Sequence, residues 1–232
     1  MAGYAEVPAT PADRVVPLRG VRGMIADKML RSLSEAAQLT HHADCRADAL
    51  LRRKAALTET GVKVSIEDLI LDRVVATLLN HPDLNGIVKG KEVHLSGAVH
   101  LSVAMALPGN LLVAPAIFNA EKLTTEARAA ARKDLAERAR ANKLTVPEMT
   151  GGTFTVSNLG LSRVRYFTPI LNTPQIGILG IGRIAEVAFP DGKGGVEFHP
   201  VMGLSLTFDH QAVDGAPAAA FLSDLCAALE AA

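Results

Sequence analysis

The sequence predicts an α/β protein, a sandwich in which helices flank a mixed β-sheet, and three observations predict it. Stretches with apolar residues at helical spacing alternate with short apolar runs along the whole chain. The later part carries several strand-like runs with turn residues between them, which puts hairpins into the sheet. Of the 232 residues 49% are hydrophobic and 21% charged, an ordinary balance for a chain that buries a sizeable core.

The elements follow in order. Residues 1–14 hold proline and alanine with little apolar content and are expected to be a flexible arm or linker remnant, leaving residues 15–232 as one domain. From Arg22 to Ala36, Met24, Ile25, Met29, Leu30 and Leu33 repeat at helical spacing. "THHADC" reads as a short polar strand, and a helix starts near Ala47. Ser65 is placed to N-cap the helix "IEDLILDRVVATLLN", with Asp68 at its third position. Pro82 disfavours helical geometry at His81 and ends that helix there. "IVKGKEVHLSG" predicts a hairpin, and "AVHLSVAMAL" and "NLLVAPAIFNA" two strands joined at Pro108-Gly109-Asn110. "TTEARAAARKDLAERARANK" predicts a helix with charges of both signs, expected on a solvated outer face. "GGTFTVSNLG", "IGILGIGRIAEVAF" and "GVEFHPVMGLSLTF" predict strands, and "APAAAFLSDLCAALEAA" a final helix with Cys226 on its apolar side.

Charge and composition exclude several functions. Lys+Arg and Asp+Glu are equal at 24 each, so no global field favours nucleic acid or a membrane surface. Tryptophan is absent and aromatics make up 4%, too few for base-stacking platforms. Cys45 and Cys226 lack CxxC spacing, so neither a disulfide framework nor a zinc site is signalled, and no metal is expected. No apolar run reaches membrane-spanning length, and the N-terminus lacks the apolar region of a signal peptide. A cytoplasmic protein is expected, or one of the mitochondrial matrix if the source is eukaryotic.

Candidate chemistry gathers at "FDHQAVDGA", Phe208–Ala216, where a strand ends and a helix begins. A neutral imidazole at His210 is suited to general-base work near neutral pH. Asp214 is placed either to orient that ring or to lock the turn through a basic partner, and Gly215 to let the backbone bend where a side chain would collide. The plainer alternative is a histidine that caps a strand end. Ser157 closes the strand "GGTFTVSNLG", where its hydroxyl serves as nucleophile, as donor to developing negative charge, or as turn stabiliser; no GxSxG elbow surrounds it. "GILGIG" is not the dinucleotide fingerprint GxGxxG, and His41-His42 lack a third ligand at metal spacing.

The order of motifs "GGTFTVSNLG…FTPILNTPQIGILGIGRI…LSLTFDHQAVDGAPAAAFLSDL" resembles the catalytic domain of dihydrolipoamide acyltransferases, the transacylases of 2-oxo acid dehydrogenase complexes. "VPLRGVRGMIADKM", "HPDLNG" and "GNLLVAPAI" fit the same family, so the resemblance covers roughly residues 15–230. It implies a chloramphenicol acetyltransferase-like fold, a homotrimer, and an active site between subunits. It implies coenzyme A (as acyl-CoA) and a lipoyl group as reactants. Its implied partners are a lipoyl domain, a thiamine-diphosphate-dependent decarboxylase and dihydrolipoamide dehydrogenase. Residue by residue, His210 matches the catalytic base, Asp214 the acidic residue of the same motif, and Ser157 the hydroxyl that supports the tetrahedral intermediate. Arg22 is the expected basic partner of Asp214.

The sequence departs from the family pattern at Gln211, where an arginine is usual, which is expected to remove a structural salt bridge and leave the chemistry intact. No lipoyl or subunit-binding segment is present, so the chain is expected to be a catalytic fragment or an acyltransferase served by a separate lipoyl protein. Its end, "LCAALEAA", is less hydrophobic than the tails of members that build cubic or dodecahedral cores. "SNLG" and "FTPILNTPQIGILGIG" look more like the pyruvate, branched-chain or acetoin types than the 2-oxoglutarate type, with acetyl the expected acyl group. Two alternatives stay open: an acetyltransferase for a small hydroxyl or amine acceptor, and a structural core protein that only organises partner enzymes.

Overall fold

The computed structural model describes residues 13, 15–109 and 111–232. The expected arm lies outside them apart from Asp13, as does Asn110 of the predicted turn.

The sheet is built on its longest hairpin. β9 (Gly177–Pro190) and β10 (Val196–Asp209) pair antiparallel, and β1 (Gln38–Arg46) adds antiparallel to the inner half of β10. On the other side of β9, β8 (Phe154–Asn158) and β4 (Leu101–Val103) run parallel to their neighbours, and β7 (Ala116–Ile117) closes the edge antiparallel. The order is β1-β10-β9-β8-β4-β7, a mixed six-stranded sheet as the sequence predicts. Two hairpins stand apart from it, β2 (Gly86–Lys89) with β3 (Glu92–Leu95), and β5 (Met105–Leu107) with β6 (Leu111–Val113). Each of the two strands expected around Pro108-Gly109 is therefore broken: "AVHLSVAMAL" gives β4 and β5, and "NLLVAPAIFNA" gives β6 and β7. Their outer parts leave the sheet to pair with each other, a change of partner that Pro115 marks in the second run and nothing local marks in the first.

One sheet face carries the core. Phe154, Val156, Leu179, Ile181, Leu204, Leu206 and Phe208 meet α2 (Asp48–Glu59), α3 (Ile66–Asn80) and α6 (Gly215–Glu230), whose Leu50, Leu71, Leu78, Phe221 and Leu225 are fully buried. α3 begins at the predicted cap: Asp68 N donates to Ser65 Oγ, and Ser65 N donates back to Asp68 Oδ2 at 2.7 Å. α4 (Thr125–Arg140) has the expected solvated face, with Glu126, Lys133, Asp134, Glu137 and Arg140 exposed, but two of its arginines turn inward. Its Arg128 is buried, donating to Asp72 of α3 and to the carbonyls of Ala120 and Leu123, and Arg132 pairs with Asp68 and Glu67. A short helix, α5 (Val146–Thr150), opens with a second capping box, Thr145 with Glu148.

The opposite sheet face is polar and is crossed by the chain at Arg165–Phe167. Thr40 and Thr207 share a hydrogen bond there, as do His42 and Ser205. A Cβ on Gly182 or Gly203 would collide with the carbonyl oxygen of Arg165, and one on Gly180 with the Phe167 ring at 2.7 Å. Of the glycines of "GILGIG", Gly182 thus clears space for a close backbone approach, and Gly177 and Gly180 for the rings of Phe154 and Phe167. α1 (Gly20–Glu35) packs on this side of the molecule, where Ser32 Oγ donates to the Leu171 carbonyl. Its apolar face is largely uncovered: Met24 is 70% exposed and Leu30 68%.

Candidate active site

The odd-numbered residues of β10 set up the site. Ser205, Thr207 and Asp209 point to the polar face of the sheet and are all buried. Asp209, 3% exposed, ends the strand with its carboxylate turned inward. Its Oδ1 accepts from Ala37 N at 3.1 Å and from Gln211 N at 3.0 Å, while its own N–H donates to the Ile176 carbonyl. Ala212 N and Val213 N both donate to the Asp209 carbonyl, closing the turn, and His210 N donates to the Ala37 carbonyl at 2.9 Å. His210 therefore stands on a turn whose backbone is fixed on both sides.

The imidazole projects from that turn with 42% of its side chain exposed, packed near the Phe208 ring. Asp214 Oδ1 lies 3.6 Å from His210 Nδ1. Asp214 is also the N-cap residue of α6, although its side chain makes no cap hydrogen bond, and it is 85% exposed. Two expectations are corrected here. Among the described residues the basic side chain recorded beside Asp214 is His210, not Arg22, and the carboxylate is open to solvent within one chain, so no buried salt bridge locks the turn there. Gly215 has no left-handed φ, and a Cβ there would meet His41 at 3.7 Å, an ordinary contact, so the expected collision is absent.

Ser157 sits half-buried near the end of β8, and its hydroxyl makes no hydrogen bond to the described residues. It pairs with Gly180 of β9, which pairs with Ser205 of β10. His210 lies five residues beyond Ser205, so the serine and histidine are separated by roughly 16 Å along the strands at about 3.3 Å per residue. Two strand spacings of about 4.8 Å add to that. Within one chain they cannot touch the same reacting atom.

Asp209, the residue that fixes the turn, was not singled out in the sequence. Its signal lay in the strand's alternation, which continues Ser205 and Thr207 with a third polar residue ahead of His210. Gln211 does not leave a gap where the family's arginine would be: its amide reaches Asp209 and the Glu35 carbonyl. A groove of about 960 Å³ runs beside this turn between α1 and residues 172–175, lined by Lys28, Arg31, Asn172, Gln175, Asp209 and Gln211 among others. Lys28 Nζ donates to Asn172 Oδ1 at 2.6 Å, and loss of water contact in the groove lowers the lysine's pKa. Among the described residues no cluster of three or more His, Cys, Asp or Glu is placed to hold a metal ion. No helix among them is long and apolar enough to cross a membrane.

The six-stranded mixed sheet, its layer of helices and the histidine turn at the end of β10 define a chloramphenicol acetyltransferase-like fold. Chloramphenicol acetyltransferase itself superposes with a TM-score of 0.56 over 88% of this chain and 92% of that one, at 16% identity. The chain belongs to the 2-oxoacid dehydrogenases acyltransferase (catalytic domain) family, which matches residues 10–232. The dihydrolipoyllysine-residue acetyltransferase component of the acetoin cleaving system of Bacillus subtilis is 40% identical over 93% of this chain and 55% of that protein. The corresponding component of the pyruvate dehydrogenase complex of Corynebacterium glutamicum is 38% identical over 90% of this chain and 32% of its own length. The chain thus spans about half or less of the curated relatives it matches. Azotobacter vinelandii dihydrolipoamide acetyltransferase superposes with a TM-score of 0.84 over 97% of both chains, at 31% identity. In that enzyme a serine, a histidine and an asparagine were studied for their roles in the catalytic mechanism, the last two four residues apart.

Proposed function

We propose that the chain transfers an acyl group between dihydrolipoamide and coenzyme A, with acetyl as the group carried. The observation that carries this reading is the clamped turn that presents His210 to solvent with Asp214 against its Nδ1. His210 and Asp214 stand at the same interval as the histidine and asparagine of the Azotobacter enzyme.

His210 Nε2 removes the proton of the attacking thiol, and the sulfur adds to the thioester carbonyl. The imidazolium so formed gains from the Asp214 carboxylate beside Nδ1, which also holds the ring in place. Ser157, whose hydroxyl is uncommitted among the described residues, donates to the oxygen as it becomes negative. Such a donor is typically worth about 3 kcal/mol of barrier. The intermediate collapses, the C–S bond to the departing thiol breaks, and His210 returns the proton. No covalent enzyme intermediate forms, so Ser157 is not a nucleophile.

Because Ser157 and His210 lie so far apart in one chain, a working site takes the serine of one copy and the histidine of another. A closed head-to-tail ring of three does this, with the exposed apolar face of α1 as one of the surfaces it would cover. A lipoyl domain supplies the acyl-dihydrolipoamide, from this polypeptide or a separate one. A thiamine-diphosphate-dependent decarboxylase and dihydrolipoamide dehydrogenase complete the cycle around it. The site of action is the cytoplasm, or the mitochondrial matrix in a eukaryote.

The test is turnover of acetyl-CoA with dihydrolipoamide by the wild type and by His210→Ala. A positioned base contributes about 10²–10⁴-fold, so the variant should lose at least that much while keeping its oligomeric state. Near wild-type activity in a folded His210→Ala protein would end the proposal. Substituting succinyl- and isobutyryl-CoA for acetyl-CoA tests the acyl group, and a preference for either refutes the acetyl assignment.

A further inference from the structure

One side chain ties the His210 turn to α1. Gln211 Nε2 donates to the carbonyl of Glu35, the last residue of α1, at 2.8 Å. The same nitrogen lies 3.2 Å from Asp209 Oδ1 and 3.3 Å from Oδ2. An amide nitrogen carries two hydrogens. One therefore serves a helix-end carbonyl that has no partner within the helix, and the other is shared across both oxygens of the buried carboxylate. Two more bonds cross the same junction, Ala37 N to Asp209 Oδ1 and His210 N to the Ala37 carbonyl.

Resting on the acyl-transfer role of His210, we propose that Gln211 is a positioning residue for that reaction, setting the imidazole relative to α1 by bridging Glu35 and Asp209. The two groups that the Gln211 amide bridges, the Glu35 carbonyl and the Asp209 carboxylate, are both structural, so the bridge acts through geometry. It joins the base to the helix whose apolar face stands open, so the placement of α1 against a neighbouring copy is passed to the histidine. Further along, α1 is tied to the rest of its own chain by Lys28 to Asn172, Ser32 to the Leu171 carbonyl, and the Gln38 amide to Ser32. Without the glutamine bridge, the turn loses its side-chain tie to the helix end and keeps the two backbone-donor bonds at Ala37. A misplacement of about 1 Å at a reacting group costs on the order of 10²-fold in rate.

The test compares Gln211→Met, which keeps length and loses both donors, with Gln211→Arg, which keeps donors. Gln211 is exposed, so both should fold; Gln211→Ala gives the same comparison should the methionine variant not fold. Three quantities are read in the assembled protein: kcat, KM, and hydrogen exchange at the His210 amide, whose acceptor is the Ala37 carbonyl. Gln211→Met is expected to lower kcat about 10–100-fold with KM unchanged, the pattern of a loss felt only in the transition state. Exchange at His210 should quicken about tenfold, and Gln211→Arg should restore both. A purely structural role would leave the split between kcat and KM and the rescue unmet. Unchanged kcat and exchange in Gln211→Met, or an arginine variant as impaired as the methionine one, overturns the proposal. Exchange is measured without turnover, so an inactive wild type would sink the acyl-transfer reading while the bridge is still judged on its own.

Discussion

If the working site pairs Ser157 of one copy with His210 of the next, two dead chains should revive each other. The perturbation is co-expression of Ser157→Ala and His210→Ala at equal levels. The geometry fixes the magnitude. Ser157 is aligned with Ser205 through Gly180, and His210 lies five residues further along β10, so no single chain brings the pair together. In a head-to-tail ring each interface draws its serine from one chain and its histidine from the neighbour. An interface is intact when the serine donor is the His210→Ala chain and the histidine donor is the Ser157→Ala chain, about one interface in four under random mixing. The assay is steady-state transfer from acetyl-CoA to dihydrolipoamide per mole of chain, with two differently sized tags confirming that mixed oligomers form. Activity near a quarter of wild type, far above either variant alone, is expected. Mixed oligomers that show only the average of the two variants would refute the shared site, as would a fully active monomer.

Three further outcomes test the scaffold. Burial opposes ionisation of Asp68, but its hydrogen bonds from Arg132 and Ser65 outweigh that and hold the carboxyl below its usual value. Its stabilising share is therefore complete above the ordinary carboxylate range and is lost as pH falls through the lowered folded value. Asp68→Ala should cost about 3 kcal/mol at neutral pH, and its denaturant midpoint should fall less steeply than that of the wild type below about pH 4; parallel pH profiles would contradict this. Gly182→Ala should cost at least 1–3 kcal/mol through overpacking, because the backbone of Arg165 must move, and an unshifted denaturant midpoint would show that the crossing segment yields freely. Phe221→Ala, which empties the junction of α6 with Phe154, should cost about 3–5 kcal/mol, read as a lowered melting temperature.

What the sequence made legible was whatever is written locally. The Ser65–Asp68 capping box and the stop at His81-Pro82 depend on residues a few positions apart, and both appear where predicted. The strand–turn–helix at residues 208–216 is local in the same sense, and so His210 and Asp214 were found together. The misread features depend on distant partners. Arg128 and Arg132 look like solvated helix charges until Asp72, Glu67 and Asp68 are brought beside them from α3. The breaks that make β4–β7 out of two strands follow from a change of partner, which Pro115 marks between β6 and β7 and nothing local marks between β4 and β5.

The role of Asp214 shows where a local motif stops being informative. The spacing of histidine and aspartate fits two uses, a carboxylate that steadies the ring or one that locks the turn through a cation. In the folded chain the turn needs no such lock. Asp209 already holds it from inside, with Ala37 N and Gln211 N on one oxygen and backbone bonds from Ala212 and Val213 on its carbonyl. A second carboxylate that is 85% exposed adds little to that fixation, since exposed pairs contribute roughly 0–1 kcal/mol. At 3.6 Å from His210 Nδ1 it instead faces the ring, and in the proposed mechanism it steadies the imidazolium formed as the thiol proton is taken. The work thus divides between two aspartates five residues apart: the buried one fixes the backbone, and the open one faces His210.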